Sequence, residues 1–432
     1  MTLSERGKAF LTPGPEMEYL ASLERVEGNL WHPVANPEGV VQLAVAENLH
    51  TWEELRRPMQ EAIAKDGFAD FVPYYGDFRG NNRCREAILR FLRRHVFLKN
   101  GAPLDDGAWG FSVDHLLVTN GCGPALEHLT FALCDPGDVI LTPAPIYPGF
   151  LTDVGARAQS RLVTVASSGT GPYLLDVAAL DRARVSAQSA GLRVRALLLS
   201  QPYNPIGVCL SADEVERAVA YCRQNGLHLI SDEIYAASVY APGVRHTSAM
   251  AFASMDPGWA GSFLHILHGF SKDFGLSGFR VGVIYSPSVQ LHEALDRLTY
   301  FCGCSSLPQQ LITALLSDED FVDGYVRRNC GRLHRLYQKV AGAADRIGIP
   351  YIHADSGFFV WLDLRQWLPE PTPAGEHELW LTLLKKGGVV LTPGLACRAS
   401  EPGMFRLCFA AAPEGGIEIA MERIGRTLVE LR

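Results

Sequence analysis

Residues 263–285 read FLHILHGFSKDFGLSGFRVGVIY: two short apolar runs, 263–270 and 280–285, enclose a polar loop that carries Lys272. Apolar runs of this length, bounded by Gly and Ser, read as strands covered on both faces. The same kind of run recurs upstream in HLLVTN (115–120), DVILTP (138–143), ALLLSQP (196–202) and LHLISDE (227–233). Helical stretches separate several of them: GPALEHLTFAL (123–133) and SADEVERAVAYCRQNG (211–226). The second opens with Ser211 three residues before Glu214, a capping box, and closes at Gly226. This alternation predicts an α/β fold: a mostly parallel sheet between helices.

Past residue 305 the pattern changes to a long helical region (308–347), strand-like FFVWLDL (358–364), a helical stretch (376–387), GVVLTP (388–393) and MFRLCFA (404–410). It predicts a smaller α+β domain. The division expected is 1–66, a segment joining the small domain; 67–305, a large domain; and 306–432, the small C-terminal domain. The expected loops are Pro-rich 369–374 and the Gly/Pro-rich stretches near 101–110 and 241–258.

Composition narrows the function. The chain has 432 residues, 47% hydrophobic and 20% charged, so it buries a large core. Its 39 Lys and Arg against 47 Asp and Glu leave −8, no broad positive field for nucleic acid. The start, MTLSERGKAF, lacks the apolar stretch of a secretory signal, and no apolar run approaches the roughly 18 residues that span a bilayer. Ten scattered Cys, without a CxxC pair, suggest reduced thiols in a cytoplasm and no zinc site. His265 and His268 fall on opposite faces of a strand-like run without a third ligand, so a structural role is expected and no metal.

Two positions forty residues apart carry the chemistry. Asp232 ends the LHLISDE strand and Lys272 follows the FLHILHGF strand. Strand ends in an open α/β sheet converge on the ligand crevice. A lysine there can form a Schiff base and a carboxylate can keep a pyridinium nitrogen protonated, the two requirements of pyridoxal phosphate chemistry. Asn204 in QPYNPIG and Tyr235 in DEIY are placed to hydrogen-bond that cofactor's phenolate oxygen. Gly121, Cys122 and Gly123 turn a strand into a helix and aim backbone N–H groups at a phosphate, and Arg280 adds a charge-assisted contact.

With these motifs in order, the chain resembles the fold-type I pyridoxal phosphate enzymes of the class I/II aminotransferase group. The resemblance implies that Lys272 carries the cofactor and Asp232 holds its ring nitrogen. Asn204 and Tyr235 would bind the ring oxygen, while Ser271, Arg280 and the 121–123 turn would hold the phosphate. Tyr147 in APIYPGF would stack on the ring, and Arg406 in MFRLCFA would take the substrate carboxylate. Within that group the wording is similar to that of 1-aminocyclopropane-1-carboxylate synthases, lyases acting on S-adenosylmethionine. The shared stretches are LAVAENLHTWEEL (43–55), IYPGF (146–150), DEIY (232–235), SKDFGLSGFRVGVIYS (271–286), SGFFVWLDLR (356–365) and SEPGMFRLCFA (400–410). Glu47 would favour a cationic sulfonium or ammonium through short-range attraction. A homodimer is implied, with Tyr75 reaching the other subunit's site.

Three positions depart from the synthases. Gly269 stands where a phosphate-binding serine is usual, Phe78 where a tyrosine is expected, and Gly394-Leu395-Ala396-Cys397 where a more polar stretch lies. The cofactor half matches and the substrate half is altered. Loss of methylthioadenosine from Cγ is therefore expected, ending either in ring closure or in a vinylglycine-type species that captures a second substrate. The competing expectations are an ordinary aminotransferase, which needs the same cofactor residues, and a binding protein without turnover.

Overall fold

The computed structural model describes residues 2–11, 26–105, 110–166 and 175–431. Seven strands form the central sheet, in the spatial order Leu116–Thr119, Gly282–Tyr285, Leu264–Gly269, His228–Asp232, Val194–Ser200, Val139–Pro143 and Arg161–Val165. The sheet is mixed rather than wholly parallel, because Gly282–Tyr285 runs antiparallel to both neighbours. The other neighbouring pairs run parallel. Most strand residues are buried on both faces, as the unbroken apolar runs require. Arg161–Val165, on the sheet edge and only partly buried, was not among the expected strands. Its sequence, RLVTV, alternates too briefly to stand out.

The helices end where their caps dictate. Ala212–Asn225 carries the expected capping box: Glu214 N–H donates to Ser211 Oγ (3.3 Å), and Ser211 N–H donates to Glu214 Oε2 (2.8 Å). Gly226 closes it in the left-handed conformation, φ 61°. The long helical region of 308–347 is two helices, Ser306–Leu316 and Glu319–Ile347. The break falls where Asp318 leaves helical geometry and accepts the Phe321 N–H with its side chain (2.9 Å).

The stretch expected as a loop at 241–258 contains a 3-10 helix, Ala249–Met255, capped by Ser248 and buried along Ala249, Met250 and Phe252. In the 101–110 stretch, Ala102–Pro103 pairs with Leu98–Lys99, while 106–109 lie outside the described residues.

A second sheet lies beyond residue 350. Tyr351–Ile352, Phe359–Asp363, Met404–Cys408 and Thr392–Pro393 are antiparallel neighbours in that order. Phe358 through Leu362 are all buried, so this strand is covered on both faces. Val41–Gln42 pairs in parallel with Val389–Val390, tying residues 26–46 to this second core, whereas Leu55 and Met59 pack in the core of the central sheet. The 46–51 segment follows this pair and meets the loop after the Leu264–Gly269 strand, at Lys272 and Phe274.

Candidate active site

The floor of the site is built from strand ends. Ser200 lies opposite Asp232, and Asp232 opposite Leu267, so the chain segments leaving these three strands emerge side by side. Asn204, Asp232, Tyr235 and Ser271 are buried there, and Lys272 is half-buried. Burial pushes the Asp232 carboxyl up to about 7, with Asp153 and Glu233 acting the same way; the Ile234 N–H and Lys272 oppose it. Burial lowers the Lys272 ammonium from its ordinary value, against the nearby Cys408 and Glu47. Lys272 Nζ donates to the Ala46 carbonyl (2.5 Å). The Tyr235 ring meets Phe358 and Phe359 edge-on at 5.1 and 5.5 Å, and its Oη is buried without a hydrogen-bond partner. A buried phenol of this kind points to a polar group that belongs beside it.

Beside this floor, Gly121 (φ 121°) opens the Cys122–Leu133 helix. A Cβ on Gly121 would run into the Arg280 guanidinium, so only glycine lets the turn and the arginine share one recess. Arg280 is itself left-handed (φ 54°) and donates through Nη1 to Ser277 O (3.0 Å). The Gly269 departure has a physical reason. A Cβ there would lie 2.8 Å from Cys122 Sγ and 2.9 Å from Val281 O. The Cys122 thiol fills that space and donates to His268 O (3.0 Å). The volume of the missing serine is thus taken from the neighbouring turn.

The rim comes from far along the chain. Arg406, on Met404–Cys408, is 2% exposed; Nη1 donates to Asn204 Oδ1 (2.9 Å) and Nη2 to Ala44 O (2.5 Å) and Thr392 Oγ1 (3.0 Å). Its guanidinium lies over the Phe359 ring at 4.7 Å. Because Asn204 Oδ1 accepts from Arg406, the Asn204 amide nitrogen is left to donate into the site. Glu47, half-buried, accepts from Ser277 Oγ through Oε1 (2.8 Å). Tyr147, 36% exposed, packs edge-on to Phe150 at 5.3 Å. The altered 394–397 stretch forms the 3-10 turn Leu395–Cys397, whose Cys397 carbonyl accepts the Ile146 N–H (2.7 Å) beside Tyr147. Buried Glu376 holds that turn through the N–H groups of Leu395 (2.9 Å) and Gly403 (2.5 Å).

Tyr75 stands apart. Its ring is 89% exposed and meets Phe78 at 6.0 Å. His268 Nδ1 lies 2.9 Å from Glu233 O, and His265 lies between His228 (3.0 Å) and Ser286 (2.8 Å). Both histidines thus satisfy core groups, and no group of three metal-ligating side chains occurs among the described residues.

Asp153 and Ser277 were not anticipated as site residues. Burial raises the Asp153 carboxyl to about 7, and the carboxylate faces Gly123, with Oδ1 3.2 Å from where a Cβ on that glycine would sit. Its position six residues after Tyr147 was the sole clue, and spacing of that sort is common on any helix.

The amine, the buried carboxyl, the partnerless phenol and the glycine–arginine recess together suit pyridoxal 5'-phosphate. The family model for class I and II aminotransferases matches residues 38–424. The chain is 34% identical over 440 residues to 1-aminocyclopropane-1-carboxylate synthase 4 of Oryza sativa subsp. japonica, covering 96% of this chain and 87% of the relative. It is 32% identical over 421 residues to 1-aminocyclopropane-1-carboxylate synthase 7 of Arabidopsis thaliana, covering 96% and 92%.

Among solved structures, aspartate aminotransferase from Thermus thermophilus with maleate superimposes with a TM-score of 0.79 at 22% identity, over 99% of this chain and all of that one. The aromatic aminotransferase from Pyrococcus horikoshii gives 0.74 at 24%, over 90% and 96%. These two likenesses establish the fold. The chain is a pyridoxal phosphate-dependent enzyme of the class I and II aminotransferase family, similar over nearly its whole length to 1-aminocyclopropane-1-carboxylate synthases.

Proposed function

We propose that the enzyme removes the Cα proton of S-adenosylmethionine and expels methylthioadenosine from Cγ. The observation that carries this reading is the seating of Ala46-Glu47-Asn48 against Lys272, with Nζ on the Ala46 carbonyl and the Glu47 carboxylate close enough to act on the ammonium. A negative group beside the reacting amine favours a cationic substrate, and a sulfonium is both cationic and a good leaving group.

Pyridoxal 5'-phosphate, when bound, supplies a conjugated ring that takes up the electron pair of a broken Cα–H bond. The residues of this chain do the rest. Lys272 would carry the cofactor and, once displaced by the substrate amine, take the Cα proton on Nζ. Its lowered pKa supports that second role, since a neutral amine is the base. Asp232 would keep a proton on the ring nitrogen, while Tyr235 Oη and the Asn204 amide would donate to the ring oxygen. The N–H groups of the 121–123 turn, Ser271 and Arg280 would hold the phosphate. Tyr147 would stack on the ring, and Arg406 would fix the substrate carboxylate from the rim.

Ring closure expels methylthioadenosine by direct attack of Cα on Cγ, capture of a second substrate follows elimination across Cβ–Cγ, and both are lyase- or transferase-type outcomes of the same site. Transamination of an amino acid with a 2-oxo acid is the alternative and needs the same floor. The proposal includes a homodimer in which Tyr75 serves the partner's site. It is supported by an exposed aromatic row, Tyr75, Phe78, Tyr300 and Phe301, on one surface. Among the described residues no helix is long and apolar enough to cross a membrane.

The test is to mix cofactor-loaded protein with S-adenosylmethionine and assay methylthioadenosine and the four-carbon product by mass spectrometry. Release of methylthioadenosine is expected. Its absence, together with conversion of common amino acids to keto acids, would replace this reading with the aminotransferase.

A further inference from the structure

We propose that Ser277 is a specificity-positioning residue: its hydroxyl holds the Glu47 carboxylate where it distinguishes a cationic substrate from a neutral one. The proposal rests on the reading that the site takes S-adenosylmethionine, and it adds a residue that no motif match singles out.

The geometry separates the side chain of Glu47 from its backbone. The 46–51 segment is seated by contacts that do not involve Ser277. Lys272 Nζ donates to Ala46 O (2.5 Å), Asn48 Nδ2 to Asn329 Oδ1 (3.0 Å), and Thr51 Oγ1 to Phe274 O (3.1 Å). Asn329, 1% exposed, donates in turn to Asp273 O (3.3 Å), next to the lysine. Gly275 (φ 65°) makes the close approach possible, since a Cβ there would meet Asn48 O at 2.7 Å and collide with Thr51 Oγ1. The backbone of Glu47 is thus fixed from three sides.

Its carboxylate depends on Ser277. Ser277 Oγ donates to Glu47 Oε1 (2.8 Å), while Ser277 O accepts from Arg280 Nη1 (3.0 Å). The serine therefore sits between the arginine expected at the phosphate and the carboxylate expected at the sulfonium. A half-buried glutamate without that bond has three free side-chain torsions and spreads its charge over several rotamers. With Oε1 engaged on Ser277, the carboxylate is held to one position, from which its charge acts on the Lys272 ammonium.

The test uses the cofactor-loaded enzyme and two molecules that differ by one methyl group and one charge, S-adenosylmethionine and S-adenosylhomocysteine. In Ser277→Ala, KM for S-adenosylmethionine should rise about 3–10-fold, the size of one hydrogen bond's contribution. The inhibition constant of S-adenosylhomocysteine and the Tm should stay unchanged. Ser277→Thr, which keeps the hydroxyl, should restore the discrimination, and Ser277→Ala should add nothing in a Glu47→Gln background.

Equal shifts in both constants would make Ser277 a mere staple of the segment and overturn the proposal. So would no shift in either, or an additive effect in the Glu47→Gln background. A wild-type enzyme that does not bind S-adenosylmethionine would overturn the functional reading, and this proposal with it.

Discussion

The floor and the rim of the site are built on different principles. Floor residues leave the ends of neighbouring strands within motifs a few residues long, such as Asp232 with Tyr235 and Ser271 with Lys272. Rim residues meet partners hundreds of positions away: Ala46 with Lys272, Glu47 with Ser277, Arg406 with Asn204. A strand end is held by its sheet neighbours and tolerates little change. A rim contact is held by packing between two cores; those of Ala46 and Arg406 end on the floor residues Lys272 and Asn204, whereas that of Glu47 with Ser277 does not. This difference teaches where a change of substrate or outcome would arise: Phe78, against Tyr75 and Tyr300, and the 394–397 turn, bonded to Ile146, both lie outside the floor motifs.

Substitutions can break that division or sharpen it. The largest effect belongs to the floor. Lys272→Ala removes both the covalent link and the base, so turnover should fall at least about 10³-fold and the visible band of the lysine-bound cofactor should vanish. A retained band in the absorption spectrum would remove Lys272 from its assigned place.

Next comes the rim. Arg406→Ala should weaken substrate binding by about 2–5 kcal/mol, because it truncates a buried charged partner. The lysine-bound cofactor should remain, with its visible band shifted because Asn204 Oδ1 loses its partner. An unchanged KM, or loss of the cofactor, would erase the line between the two regions.

A smaller effect should appear in stability. Asp232, buried, titrates near 7 in the folded chain against an ordinary 3.8. A carboxyl raised on folding stabilises the fold while protonated. That contribution is complete below about pH 4 and lost as pH rises through about 7. Asp153 and Asp273 are raised to about 7 by burial and act in the same direction. Buried His228 and His268, lowered to about 4, act in the opposite direction, so in the cofactor-free protein the carboxyl is read from the difference between wild type and Asp232→Asn, which should be larger at pH 8 than at pH 5. Asp232→Asn should melt higher than wild type at pH 8 while losing turnover when loaded. Scanning calorimetry of both chains at the two pH values checks that difference.

The smallest expected effect concerns the phosphate recess. Gly269→Ser forces a side chain against Cys122 Sγ and should cost about 1–3 kcal/mol, as overpacking does. Cys122→Ala in the same chain should recover part of it, because Val281 O, 2.9 Å from that Cβ, stays in place. Denaturant melts and cofactor titration of the single and double variants measure the coupling. Additive losses would show that the two positions do not share one space.

How much of this was legible beforehand follows from the range of each interaction. The capping box at Ser211 and Glu214, the strands flanking Lys272 and the floor residues all lie in short motifs, where local chemistry speaks for itself. The break at Asp318 and the 3-10 helix at Ala249–Met255 were hidden because caps and turns of that length leave little periodicity. Ser277 lay in view within SKDFGLSGFR, yet nothing local to it names Glu47 as its partner.

The sequence by itself determined the α/β class, the order of the motifs and the identity of the groups that suit the cofactor. Their side-chain chemistry and strand–helix periodicity are local properties. Only the tertiary structure decided that Cys122 fills the place of a serine at Gly269, that Arg406 reaches Asn204 and Thr392, and that Ser277 holds Glu47. Such contacts depend on how two separately packed cores meet. That meeting is set by close packing of many side chains at once, so no single stretch of the chain encodes it.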